Sequence, residues 1–151
     1  MSLLCPIDFR YGRPEMKAIF GEGARLQRLL DVEAALARAQ AKVGTIPARA
    51  AQAISATANT NDVTANRVTE LEKQTRHDIM AVVLALSEAC GEEASRYVHL
   101  GATSNDISDT GTALQLRDAI RVLAVDLKNL RRVLVALAKK QGADLSKLGG
   151  T

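Results

Sequence analysis

The chain has 151 residues, 47% of them apolar and 25% charged, and a formal net charge of +3. That is enough for one domain with a real core, or one domain and part of another, and it excludes general intrinsic disorder. Aromatic residues make up 3% and Trp is absent, so closely packed Ala- and Leu-rich helices are expected rather than a sandwich or barrel.

Residues 1–15 hold Pro6, Gly12 and Pro14 and read as an irregular arm. From Met16 to Val43 the pattern is helical, with Leu26, Leu29, Leu30, Val32 and Leu36 as its apolar face and Gly44 and Pro47 closing it. Pro47 suits the first turn of a second helix that reaches about Ala58. Thr60-Asn61-Asp62 breaks the chain before a short helix from Val63 to Lys73. The polar stretch Gln74 to Asp78 follows, with Asp78 placed to cap an almost wholly apolar helix from Ile79 to Cys90. Gly91 ends that helix, and no segment alternates with period two for long enough to be a strand.

The turn from Tyr97 to Thr110 gathers a histidine, small hydroxyls, an amide and carboxylates just before a long helix. Hydroxyls and unsatisfied N–H groups at a helix N-terminus suit a carboxylate or phosphate, and Ser104 or Asp106 also suits a simple N-cap. The helix, from about Asn105 to Gln141, should span roughly 50 Å at 1.5 Å per residue. Leu116, Ile120, Leu123, Leu127, Leu130, Leu134 and Leu137 repeat at spacings of four and three. Val122, Val125, Val133 and Val135 widen this stripe, so the helix should be packed on several sides. The short helices before it cannot cover such a rod, which therefore calls for partner helices from other copies or from chain beyond Thr151.

Lys and Arg alternate with Asp and Glu, and no basic stripe carries interleaved aromatics, so nucleic acid is not an expected partner. Cys5 and Cys90 read as reduced thiols of a cytoplasmic protein. Their spacing with His77 and His99 matches no zinc pattern, so no metal is expected. With no leader and no apolar run of spanning length, no membrane partner is expected either.

Three segments resemble the adenylosuccinate lyases of the fumarase/aspartase superfamily, in their order along the chain. They are the arm Phe9-Arg10-Tyr11-Gly12-Arg13-Pro14-Glu15-Met16, the turn Thr75-Arg76-His77-Asp78, and the turn from His99 to Thr110. Leu30-Asp31-Val32-Glu33-Ala34-Ala35-Leu36-Ala37 also looks like the family's first long helix. Related cycloisomerases share a similar Gly-Ala-Thr-Ser turn, whereas the arm and the Thr-Arg-His-Asp turn favour the purine enzyme.

The resemblance implies an all-α fold, with an N-terminal helical domain over 1–104 and the first long helix of a central helical bundle over 105–151. It implies a cytoplasmic lyase of purine biosynthesis that eliminates fumarate from adenylosuccinate, giving AMP, and from the succinylated imidazole carboxamide ribotide. Such an anti-elimination needs a base for a weakly acidic proton, stabilisation of the resulting aci-carboxylate, and an acid for the departing nitrogen. No metal or organic cofactor is implied, and the implied assembly is a homotetramer with sites built from several subunits.

Residue by residue, the resemblance makes His77 the catalytic histidine that contacts substrate and helps place its charged groups. Arg10 and Tyr11 would hold the nucleotide phosphate, a task suited to the planar fork of arginine. Arg76 would contact substrate by charge, Asp78 through the sugar, and Thr103 and Ser104 would grip a substrate carboxylate. His99, Asn105 and Asp106 take supporting roles. The family's Thr-His segment with the general acid, and its Gly/Ser loop with the base, match nothing in these residues. The tail Lys147-Leu148-Gly149-Gly150-Thr151 falls near where the first should begin and reads as an interruption, so this chain alone is expected to be inactive. Two alternatives stay open: another superfamily member such as a carboxymuconate-type cycloisomerase, and a non-catalytic helical oligomerisation protein.

Overall fold

The structure, a computed structural model, describes residues 11–140. Cys5, Arg10 and the tail from Lys147 lie outside the described residues. Within them the fold is all-α, with helices α1 (Pro14–Phe20), α2 (Glu22–Lys42), α3 (Ala48–Thr57), α4 (Ala65–Thr75), α5 (Asp78–Cys90), α6 (Glu92–Ser95) and α7 (Ser104–Lys140). None is long and apolar enough to cross a membrane.

Gly21 divides the segment that reads in sequence as one helix from Met16 to Val43. It takes an extended conformation (φ −64°, ψ 154°), ending α1 and preceding α2. Glycine has the weakest helix preference after proline, so the break falls where holding the helix costs most. Its N–H still donates to the Lys17 carbonyl at 2.9 Å, and its carbonyl accepts from Arg25 at 2.9 Å. The two helices are thereby hinged rather than separated.

Helix α2 is the hub and touches α1, α3, α4, α5 and α7. Its buried stripe is Leu26, Leu29, Leu30, Glu33, Ala34 and Ala37, at the spacings of three and four that put residues on one helix face. Val32 and Leu36, expected on that face, are only half-buried. Alanines Ala34, Ala37, Ala50 and Ala51 are buried on α2 and α3, where small side chains permit close approach. Thr64 caps α4 by accepting from the Arg67 N–H at 3.2 Å, and buried Val63 precedes it.

Helix α5 buries Ile79, Ala81, Val82, Val83, Ala85 and Leu86 and shows Met80 and Leu84 to solvent. Gly91, at φ +84°, then reverses the chain in a region that side-chain-bearing residues avoid. Helix α7 is about 55 Å long at 1.5 Å per residue. Its buried residues form a single row four apart, Ile107, Gly111, Gln115 and Ala119. Beyond that row the leucine seam is exposed: Leu123, Leu127, Leu130 and Leu134 are 51–65% accessible.

Candidate functional site

The two polar turns singled out in sequence precede α5 and α7, and folding joins them. His77 is the N-cap of α5, with extended backbone (φ −149°, ψ 115°) and Nδ1 accepting from the Met80 N–H at 3.3 Å. The cap expected at Asp78 therefore falls one residue earlier. Asp78 instead receives Arg25 of α2 at 3.1 Å. Partial burial pushes the Asp78 carboxyl up. The Arg25 bond, the Ile79 N–H and the charges of Arg25 and His77 outweigh it and hold the group below the ordinary aspartate range.

With Nδ1 accepting, a neutral His77 ring carries its proton on Nε2. That nitrogen lies 3.4 Å from the Ser104 Oγ at the start of α7. Thr75 stiffens the turn from behind, its Oγ1 accepting from the His77 N–H at 3.3 Å and donating to the His77 carbonyl at 3.1 Å. Arg76, between them, sits in the left-handed region at φ +52°.

The residue just before α7 is Thr103, where the sequence offers Ser104 or Asp106 as the cap. Its backbone N–H donates to the Asp106 carboxylate at 2.9 Å, the reciprocal half of a capping box. Thr103, Asn105 and Asp106 are exposed and Ser104 is half-buried. A first helical turn leaves N–H groups without intrahelical partners, and the Thr103 and Ser104 hydroxyls stand beside them. An anion meeting this end of α7 would therefore find oriented donors, with His77 Nε2 next to them.

His99 lies on the approach to that turn at φ +60°. It and Arg76 are the only described residues other than glycine with positive φ. Conformations that cost energy tend to persist where the surrounding structure holds them for function. His99 Nδ1 is 2.6 Å from Oε1 of Glu33, a side chain only 1% exposed. Burial raises the Glu33 carboxyl above its ordinary range, and the bond and charge of His99 offset part of that rise. One heptad along α2, Gln40 Nε2 donates to the Leu100 carbonyl at 2.6 Å. The turn thus rests on two polar side chains of α2, neither marked as functional in sequence. The available signal was position: Glu33 continues the buried row Leu26, Leu30, Ala37.

The arm lies elsewhere. Arg13 pairs with Asp126 of α7 and with Glu15 at 3.0 Å. Gln115 Nε2 donates to the Ile19 carbonyl at 2.7 Å, and Arg28 meets Asp118 at 2.9 Å. Asp126 is about 33 Å along α7 from Ser104 at 1.5 Å per residue. Tyr11, two residues before Arg13, is 75% exposed and makes no hydrogen bond to the His77–Ser104 cluster. Within one chain, then, His77 and Ser104 meet where α5 and α7 start, Arg76, Asp78 and Thr103 adjoin them in sequence, and Tyr11 does not join them. Among the described residues no cluster of His, Cys, Asp and Glu is arranged to hold a metal.

The sequence model of the family described as Lyase matches residues 8–151. The adenylosuccinate lyase of Pyrococcus horikoshii is 58% identical over 135 residues, covering 89% of this chain and 30% of that protein. Among solved structures, the 3-carboxy-cis,cis-muconate lactonizing enzyme of Pseudomonas putida superposes with a TM-score of 0.82 at 40% identity, covering 89% of this chain and 31% of that one. A fumarate lyase from Mesorhizobium sp. BNC1 gives a TM-score of 0.77 at 37% identity, covering 86% of this chain and 31% of that one. The chain thus spans about 30% of the length of its curated relatives. With the matching family model running through both turns and nearly the whole sequence, the chain belongs to the lyase family of the fumarase/aspartase superfamily.

Proposed function

We propose that this lyase chain carries the carboxylate-gripping part of a site that eliminates fumarate from adenylosuccinate, giving AMP, and from the succinylated imidazole carboxamide ribotide. The observation that carries this reading is the 3.4 Å approach of His77 Nε2 to Ser104 Oγ, which brings together the two motif turns at the starts of α5 and α7. Thr103 and Ser104 hold a carboxylate of the succinyl group through hydroxyls and first-turn N–H groups. His77 directs an Nε2–H toward the same anion, where negative charge grows as the aci-carboxylate forms. Arg76 and Asp78 contact the nucleotide side of the substrate, and His99, Asn105 and Asp106 support the turn.

Arg10 and Tyr11 hold the phosphate in a site completed by a neighbouring copy, in keeping with an arm tied far along α7. On this reading 1–104 form the N-terminal domain, 105–151 open the bundle of a homotetramer, and the enzyme serves cytoplasmic purine biosynthesis without a cofactor. The general acid and base of the anti-elimination belong to segments that match nothing in these 151 residues. The chain alone therefore binds without turnover.

Calorimetric titration tests the substrate class. Heat with adenylosuccinate that Thr103→Ala and Ser104→Ala both abolish is the expected result. The second reading, a cycloisomerase, draws on the similarity to the lactonizing enzyme of Pseudomonas putida. Binding of 3-carboxymuconate in place of the nucleotide, unaffected by Arg10→Ala, would establish it instead. Measurable fumarate release by the purified chain would overturn the claim that acid and base lie outside it.

A further inference from the structure

We infer that Glu33 is a positioning residue of this site: it holds His99 with its proton on Nδ1 and leaves Nε2 as the ring's acceptor for substrate. The inference rests on the lyase reading above and adds a residue to it. Glu33 Oε1 and His99 Nδ1 are 2.6 Å apart, a charge-assisted distance, and no protein group bonds His99 Nε2 among the described residues. A ring nitrogen that gives its proton to a carboxylate fixes both the tautomer and the orientation of the imidazole.

Stability does not account for Glu33. Its side chain is 1% exposed, and its second oxygen, Oε2, is buried with no protein partner among the described residues. The neighbours on its stripe are Leu26, Leu30, Ala34 and Ala37, and an apolar residue would satisfy the same surroundings with no orphaned lone pairs. A buried carboxylate half satisfied, aimed at a histidine with positive φ, breaks local rules at two adjoining positions. The backbone carries the effect onward: the Ala102 N–H closes a turn on the His99 carbonyl at 3.3 Å, and Thr103 and Ser104 come next.

The arrangement also sets the chain's two histidines apart. His77 accepts at Nδ1 and presents Nε2–H, whereas His99 donates at Nδ1 and presents a bare Nε2. One ring offers a proton and the other a lone pair, so His77 suits an anionic oxygen of the substrate and His99 an N–H or O–H donor on it.

Nitrogen NMR of the imidazoles in the full chain, at a pH where both rings are neutral, reads this directly because the chain has 2 histidines. The expected wild-type result is Nε2–H for His77 and Nδ1–H for His99. In Glu33→Leu the His99 ring should move to the Nε2–H form while His77 stays unchanged. A wild-type His99 protonated on Nε2 overturns the inference, and that spectrum decides the matter even if the variant does not fold. A folded Glu33→Leu with His99 unmoved overturns it as well. Adenylosuccinate added to the same samples separates the two readings. Equal shifts of the Thr103 and Ser104 amides in both proteins overturn the positioning role; no shift in wild type overturns the site on which it rests.

Discussion

Nε2 of His77 lies 3.4 Å from Oγ of Ser104, and the two residues open different helices. His77 therefore has two separable tasks, one at each ring nitrogen. Nδ1 satisfies the Met80 N–H, and Nε2 faces the turn. Asparagine is among the best N-caps and alanine among the worst, the difference being typically about 1 kcal/mol. His77→Ala should lower stability by about that amount, while His77→Asn should keep it and remove only the ring. Urea unfolding checks the pair, and adenylosuccinate titration should show both variants equally impaired. Impaired binding in His77→Ala alone would mean that the cap, not Nε2, matters.

Glu33 and Asp78 should leave opposite marks on the pH dependence of stability. Burial raises Glu33, with His99 offsetting part of the rise. The folded chain then holds that proton at a higher pH than the unfolded chain does. Its contribution is full below the ordinary glutamate value of about 4.3 and is lost as pH rises through the raised one. The stability of wild type relative to Glu33→Leu should therefore fall as pH rises through the raised value. Asp78 is the reverse, held low mainly by Arg25 against partial burial. Its contribution is present above the ordinary aspartate range and lost as pH falls through the depressed value. Unfolding of Glu33→Leu and Asp78→Asn at stepped pH should give difference curves of opposite slope, and parallel curves would contradict both assignments.

Much of this was legible because helix ends carry chemical punctuation. Gly44, Pro47, Gly91 and the Thr-Ser turn mark boundaries that the structure reproduces within a residue or two. Gly21 gives no break signal of its own, because a glycine inside a helical period weakens a helix without ending it, as Gly23 does within α2. The first cap moves by a single residue, to His77, since neighbouring side chains could each accept the same N–H, and at the second turn the Asp106 carboxylate takes the Thr103 N–H. Glu33 stayed hidden for a different reason. A glutamate beside Asp31 in a charged helix reads as solvated, and only its phase with Leu26, Leu30 and Ala37 says otherwise. Its partner is 66 residues away in sequence, a pairing that helical periodicity does not encode.

Helix α7 crosses α2 at Gly111. A Cβ built there would meet the Leu29 Cδ2 at 3.0 Å, and Leu29 is itself 3% exposed. Gly→Ala in a helix interior gains about 1 kcal/mol of propensity, which one yielding methyl group nearly cancels. Gly111→Ala should thus be close to neutral. Gly111→Leu has no such room and should cost about 1–3 kcal/mol by overpacking. Thermal unfolding distinguishes the two, and a neutral leucine variant would show that the crossing is looser than the contact implies.

The outer face of α7 makes the last prediction. The chain's own core takes the row Ile107, Gly111, Gln115 and Ala119. Leu116, Ile120, Leu123, Leu127, Leu130, Leu134 and Leu137 are left 50–65% exposed. Burying a leucine fully contributes about 1.5–3 kcal/mol, so covering this seam would stabilise an assembly strongly, whereas charging it would not touch the monomer's core. Leu127→Glu with Leu134→Glu should leave the pH and urea behaviour of the α2–α5 core unchanged. The same pair should convert an oligomer to monomer in light scattering, since two desolvated carboxylates in each copy would face an apolar bundle. An oligomer of undiminished mass would place the subunit contacts elsewhere and leave the seam without the role proposed for it.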